Sequence, residues 1–153
     1  MSETTQSPQP AQRCEYTWAF LLLRLFLGLR TLLEGLEKYE RNGRYTFANY
    51  YENMKGMAQG ITANSFLPLW ATRLYADSLG YLLLFLGALL LLGVKSRETL
   101  IVTGLLYVSL SFGLMAVQEN EGVAWLAVHV ILIVGALLLV RYERFALLPD
   151  HKA

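Results

Sequence analysis

WAFLLLRLFLGLRTLLEGLEKY, Trp18 to Tyr39, is the stretch whose reading decides the fold. A bilayer crossing takes roughly 20 predominantly apolar residues, and this run is long enough. It nevertheless carries Arg24, Arg30, Glu34, Glu37 and Lys38. A charge at the centre of a membrane helix costs roughly 2.5–3.5 kcal/mol on insertion scales, so such residues pair with one another or face a bundle interior. The rest of the chain must supply that interior.

Composition points the same way. Of 153 residues, 55% are hydrophobic and only 16% charged, and the mean hydropathy is +0.39. Soluble domains average about 45–50% apolar and about 25% charged residues. The apolar residues also come in long blocks, which implies one integral membrane domain. A net charge of +1 provides no basic field for nucleic acid. The single cysteine, Cys14, excludes an internal disulfide, a CxxC pair and a cysteine metal cluster, and reads as an unpaired surface thiol. Met1 to Ala11 is polar and lacks the basic-then-apolar opening of a secretory signal.

Outward from the central stretch, residues 1–15 read as a disordered tail rich in Ser, Thr, Gln and Pro. Tyr16 and Trp18 suit an interfacial anchor. Asn42-Gly43 breaks the first helix. Beyond it, Phe47, Tyr50, Tyr51, Met54, Ala58 and Ile61 recur at offsets of three and four and form one face of an amphipathic helix. That helix either caps the bundle at the interface or covers a ligand pocket; Gly60 is its expected end. Three apolar blocks follow, giving expected spans at about 18–39, 69–94, 99–117 and 123–140. Lys95 to Glu98 and Gln118 to Gly122 are the turns between them, and residues 146–153 form a short tail. The expected fold is an all-α, four-transmembrane-helix bundle over residues 16–145 with an amphipathic helix in its first extramembrane loop. Four crossings place both termini on one side. Arg13, Lys95, Arg97, Arg141, Arg144 and Lys152 gather there, which by the positive-inside rule makes it the cytoplasm.

The polar residues inside the spans are the candidate site. With about 100° per residue, Arg30, Glu34, Glu37 and Lys38 share one helix face, and Arg24 borders it nearer the cytoplasmic end. Arg30 is expected to be neutralised by Glu34 or by Asp77, and Arg24 to reach toward the cytoplasmic headgroups. This seam is either structural or touches a ligand. Thr99, Thr103, Tyr107 and Ser111 form a four-residue-spaced polar line in the third span, suited to close packing and hydrogen bonds between helices or to a hydroxyl-lined pocket. His129 either hydrogen-bonds a neighbouring helix or contacts a ligand or relays protons. The other histidine, His151, lies far away in the tail, so the two cannot jointly ligate one haem. No P-loop, HExxH, GxSxG or dinucleotide fingerprint is present.

LLRLFLGLRTLLEGLEKY at Leu22 to Tyr39, FANYYENMKGMAQGI followed by Leu67-Pro68, and LGYLLLFLGALLLLGVKSR at Leu79 to Arg97 give the chain a resemblance to the DoxX/DoxD family of small bacterial four-helix membrane proteins. The matching features are an early arginine (Arg24), Gly35 with Lys38, the amphipathic loop helix, and Gly93 with Arg97; the resemblance runs from Leu22 to Leu139. One departure is Asp77-Ser78, where the family often has a glutamate. The resemblance implies a subunit of the bacterial inner membrane in a respiratory or sulfur-redox, quinone-linked assembly, since DoxD-type proteins are associated with thiosulfate:quinone oxidoreductase. A quinone is the implied ligand, with no covalently bound cofactor, and the implied partners are a larger membrane complex or further copies of the chain. Arg24, Arg30, Glu34, Lys38, Asp77, Tyr107 and His129 are the residues placed near such a ligand. The alternatives are a non-catalytic accessory subunit and, less favoured, a small transporter.

Overall fold

A computed structural model describes residues 10–148. Five helices account for nearly all of them: α1 (Pro10–Glu37), α2 (Phe47–Asn64), α3 (Leu69–Leu92), α4 (Ser96–Ala116) and α5 (Asn120–Leu139). A two-residue-per-strand hairpin, β1 (Glu40–Arg41) and β2 (Arg44–Tyr45), links α1 to α2. Leu69–Leu92, Ser96–Ala116 and Asn120–Tyr142 are each long and apolar enough to cross a membrane, which marks the chain as a membrane protein. Helix α1 is not one of these three; Arg24, Arg30, Glu34 and Glu37 interrupt its apolar run.

Apolar side chains cover the outside of the molecule as well as filling most of its core. Leu22, Phe26, Phe85, Leu105, Ile131 and Leu138 point outward, while Arg24, Thr31, Thr103, Tyr107 and His129 are buried. Without water, apolar side chains lose nothing by facing outward, and polar ones need partners inside. Helix α1 packs chiefly on α3 and then on α5, and α4 packs on α5; the contact between α3 and α4 is much looser. The α1–α3 contact depends on glycines. A Cβ on Gly87 would lie 2.6 Å from the backbone nitrogen of Leu32, and one on Gly35 would lie 2.8 Å from that of Leu84. Small residues let membrane helices approach to backbone contact.

Several boundaries differ from the sequence reading. Residues 10–15, expected in a disordered tail, are the first turns of α1. Proline suits a first helical position because its missing N–H has no intrahelical partner there anyway. The helix is held from residue 16 onward, where the Tyr16 ring stacks on Tyr142 at 4.9 Å and Thr17 Oγ1 donates to the Tyr142 carbonyl at 3.0 Å. The remainder of the expected tails, residues 1–9 and 149–153, lies outside the described residues. Residues 146–148, also expected as tail, fold back onto the α3–α4 turn. Leu147 and Leu148 donate to the carbonyls of Leu92 and Gly93, and Lys95 donates to that of Leu148. Gly60 does not end α2, which continues to Asn64. The turn expected at Lys95 to Glu98 lies earlier, at Gly93 to Lys95, where Gly93 takes the left-handed conformation (φ 67°) that closes α3.

The break at Asn42-Gly43 is a hairpin turn with both residues left-handed (φ 55° and 74°), as a primed turn requires. It delivers the chain to Thr46, whose hydroxyl accepts from the Asn49 amide and caps α2. Helix α2 buries Tyr50, Met54 and Ala58. Phe47 and Tyr51, placed on the same face by periodicity, remain exposed.

Tyr50 fixes α2 to α3. Its ring occupies the space left by the missing side chain of Gly80. Its hydroxyl donates to the Asp77 carbonyl at 2.6 Å and accepts from Gly80 N–H at 3.2 Å. Burial pushes the Tyr50 phenol up to about 12, with Tyr39, Tyr81 and Asp77 adding repulsion against the Gly80 hydrogen bond. The free phenol titrates at 10.0, so between these values the unfolded chain has lost a proton that the folded one keeps. Stability from this group is complete below pH 10 and falls as pH rises toward 12. Hydrogen exchange in α2 is expected to accelerate over that interval. In Tyr50→Phe it should be faster already at pH 8 by the equivalent of about 1–3 kcal/mol, the penalty for stranding a buried polar partner, with a smaller alkaline step.

Candidate functional site

A cavity of about 600 Å³ opens beside the loose α3–α4 contact and takes residues from all five helices. Its walls are mostly apolar, with Leu79 and Leu83 from α3, Leu110 from α4 and Leu126 from α5, while Met57 and Ile61 of α2 close it above. Helix α2 therefore covers the cavity as well as packing on the bundle.

One wall is polar. Arg30 Nη2 lies 2.8 Å from Glu34 Oε1 and its Nη1 lies 3.9 Å from Glu37. The other oxygen of Glu34, Oε2, accepts from the Tyr107 hydroxyl at 3.0 Å. Thr31 Oγ1 is 3.1 Å from the same hydroxyl. A carboxylate beside an arginine only accepts, so the single Tyr107 proton goes to Glu34 and Thr31 donates to Tyr107. The Tyr107 ring lies 5.3 Å from that of His129, almost parallel at 5°. His129 Nδ1 is 2.7 Å from the Trp125 carbonyl. Because a carbonyl cannot donate, Nδ1 carries a proton. Arg30, Glu34, Tyr107 and His129 thus form one connected wall, drawn from α1, α4 and α5.

Of the residues singled out from the sequence, Arg30, Glu34, Lys38 and His129 line the cavity and Tyr107 supports its wall from behind. Lys38 is half-buried and, among the described residues, has no carboxylate partner. Asp77 does not join them. It is two residues from both Tyr75 and Leu79, the cavity-facing positions of α3, so it is turned about 200° away. Its carboxylate faces Arg73 at 4.0 Å, and the Arg30–Asp77 pair does not form.

Arg24 also stands apart, about 9 Å along the axis from Arg30. It does not reach for headgroups. It is 3% exposed and its Nη1 lies 2.6 Å from Glu143 Oε1, an oxygen that also accepts from the Ser96 hydroxyl. The guanidinium lies against Gly93, where a Cβ would fall 2.3 Å from Nη1. Glu143 is the residue that sequence reasoning missed. The signal was its depth: it follows the last span closely, at the same end of the bundle as Arg24.

The hydroxyl line of α4 is buried throughout, but only Tyr107 bonds across to another helix. Thr99, Thr103 and Ser111 return their protons to carbonyls of Val94, Thr99 and Tyr107. In a membrane helix, back-bonding satisfies a short hydroxyl without a neighbour. His129 likewise bonds its own helix, not an adjacent one. Tyr75 and Trp125 were further contributors that sequence reasoning left out of the site; both line the cavity, and Tyr75 bonds Ser109 at 2.8 Å. Among the described residues, no three His, Cys, Asp or Glu side chains group as a metal site, and Cys14 is exposed. No family model matches the chain, and neither a curated protein nor a solved structure matches it.

Proposed function

We propose that this chain is a DoxX/DoxD-like subunit of the bacterial inner membrane, with α1 as a fourth span and both termini cytoplasmic, and that its cavity holds a quinone. The observation that carries the reading is an apolar cavity of about 600 Å³ with Arg30, Glu34, Tyr107 and His129 joined along one wall. Ligand sites of this size are mostly apolar, with a few polar groups that orient the ligand. The carbonyls of a quinone head need hydrogen-bond donors, which Arg30 and Lys38 offer, and its ring and tail suit the leucine-rich walls. A bound quinone would supply two-electron, two-proton redox capacity, which no side chain here provides. The residues of this chain would orient the head and keep water from it.

Two further features support the family and the fourth span. Arg24 and Gly93, both positions of the family resemblance, are in contact, and Gly35 lies against the α3 backbone. Both arginines in the apolar run of α1 have a carboxylate partner, Arg24 with Glu143 and Arg30 with Glu34. Pairing lowers the burden of placing charge at membrane depth.

Trp125 lines the cavity and reports on its occupancy. Titrating the detergent-solubilised protein with a short-chain ubiquinone should quench its fluorescence saturably. That component should vanish in Trp125→Phe, and Leu110→Phe, which narrows the cavity, should weaken it. Quenching that is linear in quinone and identical in all three proteins would be partition into the micelle, and the proposal would fail.

A further inference from the structure

We infer that the cavity selects the reduced, hydroxyl-bearing form of its ligand, a hydroquinone, over the oxidised dicarbonyl form. The inference rests on the quinone reading and adds which redox form the site prefers. It comes from the balance of donors and acceptors on the polar wall. His129 is 6% exposed and, among the described residues, its only hydrogen bond is from Nδ1 to the Trp125 carbonyl. In the neutral ring, a protonated Nδ1 leaves Nε2 as a bare acceptor. Among the described residues nothing donates to it, and the Nδ1 bond to Trp125 holds the ring in this orientation, stacked on Tyr107.

The other polar groups do not separate the two redox forms. Arg30 and Lys38 are donors, and a donor satisfies a carbonyl oxygen and a hydroxyl oxygen alike. Glu34 and Glu37 are acceptors already engaged by donors, Glu34 by Arg30 and Tyr107 and Glu37 by Arg30, whereas His129 Nε2 has none. His129 Nε2 is therefore the group that tells the forms apart. A hydroquinone hydroxyl donates to it. A quinone carbonyl sets lone pair against lone pair and, by covering the acceptor, leaves it unsatisfied, and an unmade hydrogen bond in such a place weakens binding more than a made one strengthens it.

Duroquinone and durohydroquinone share a ring and its substituents and differ at the two oxygens, so they isolate this effect. Each is titrated anaerobically into the full-length protein in detergent, with Trp125 quenching as the readout. The hydroquinone should bind about tenfold more tightly, the size of one well-made hydrogen bond. His129→Phe keeps the stack on Tyr107 and removes the acceptor, so it should weaken the hydroquinone, strengthen the quinone and bring the two to equal affinity. If that variant fails to fold by circular dichroism, His129→Gln takes its place; its amide both donates and accepts, and should bind the two forms equally. Equal affinities in the unmodified protein, tighter binding of the quinone, or a preference that survives either substitution would overturn the inference while leaving a quinone site in place. Saturable binding of neither form would remove the quinone reading, and this inference with it.

Discussion

Glu143→Ala should destabilise the protein by about 3–5 kcal/mol, the range for removing one partner of a buried ion pair. The substitution strips Arg24 of its carboxylate at a position where the arginine is 3% exposed. Among the described residues Arg24 Nε already has no partner, so the rest of the guanidinium depends on Glu143. The Ser96 hydroxyl loses its acceptor as well. The effect should reach beyond the pair. Glu143 follows the turn at Val140–Tyr142, and the segment after it is bonded to the α3–α4 turn, so release of Arg24 frees α1, α3 and the C-terminal segment together. The double variant Arg24→Leu, Glu143→Leu should recover most of the loss, because an apolar pair of similar volume avoids burying charge at all. Thermal unfolding in detergent of the wild type, both single variants and the double variant completes a double-mutant cycle. A coupling energy near zero would mean that the pair is not closed in solution.

Gly87→Ala and Gly56→Ala are the same chemical change, yet their effects should have opposite signs. A Cβ on Gly87 falls 2.6 Å from the Leu32 nitrogen and 2.8 Å from its Cα, both backbone atoms that cannot rotate aside. Helices α1 and α3 must move apart, which should cost about 1–3 kcal/mol as overpacking. Gly87→Leu should lose folded protein outright. Around Gly56, on the exposed side of α2, nothing lies within 4 Å of a new Cβ. There alanine should stabilise by up to about 1 kcal/mol, the helix-propensity difference. Unfolding midpoints and yields of monodisperse protein decide both. A Gly87→Ala protein as stable as wild type would mean that the α1–α3 spacing is wider than described.

These two predictions depend on contacts of different legibility. That α1 carries a polar face was readable from Arg30, Glu34 and Lys38, because their spacing is a property of one helix. The Arg30–Glu34 pair is likewise local, four residues apart, and needs no second element. Tyr107 and His129 were visible as polar residues in apolar spans. That they stack on each other, and that Tyr107 reaches Glu34, depends on how α4 and α5 rotate against α1.

Asp77 and Glu143 show where such reading stops. Both are carboxylates at the ends of apolar helices, and the first appeared to be the better partner for an arginine. The rotation of α3 sends Asp77 away from the cavity, because Gly80 and Gly87 must face Tyr50 and Leu32. The last turn carries Glu143 inward to Arg24, 119 residues away in the chain.

The sequence by itself determined the membrane environment, the helices and the polar stripe along α1, since length, hydropathy and 100° periodicity are local quantities. Tertiary structure alone decided which charges meet, that α2 closes a cavity in place of merely capping the bundle, and that Gly35 and Gly87 are contact points. Lipid does not tell one apolar helix face from another, so hydropathy leaves helix rotation open. Close approach at glycines and the pairing of buried polar groups set that rotation, and both belong to pairs of helices, not to any single stretch of sequence.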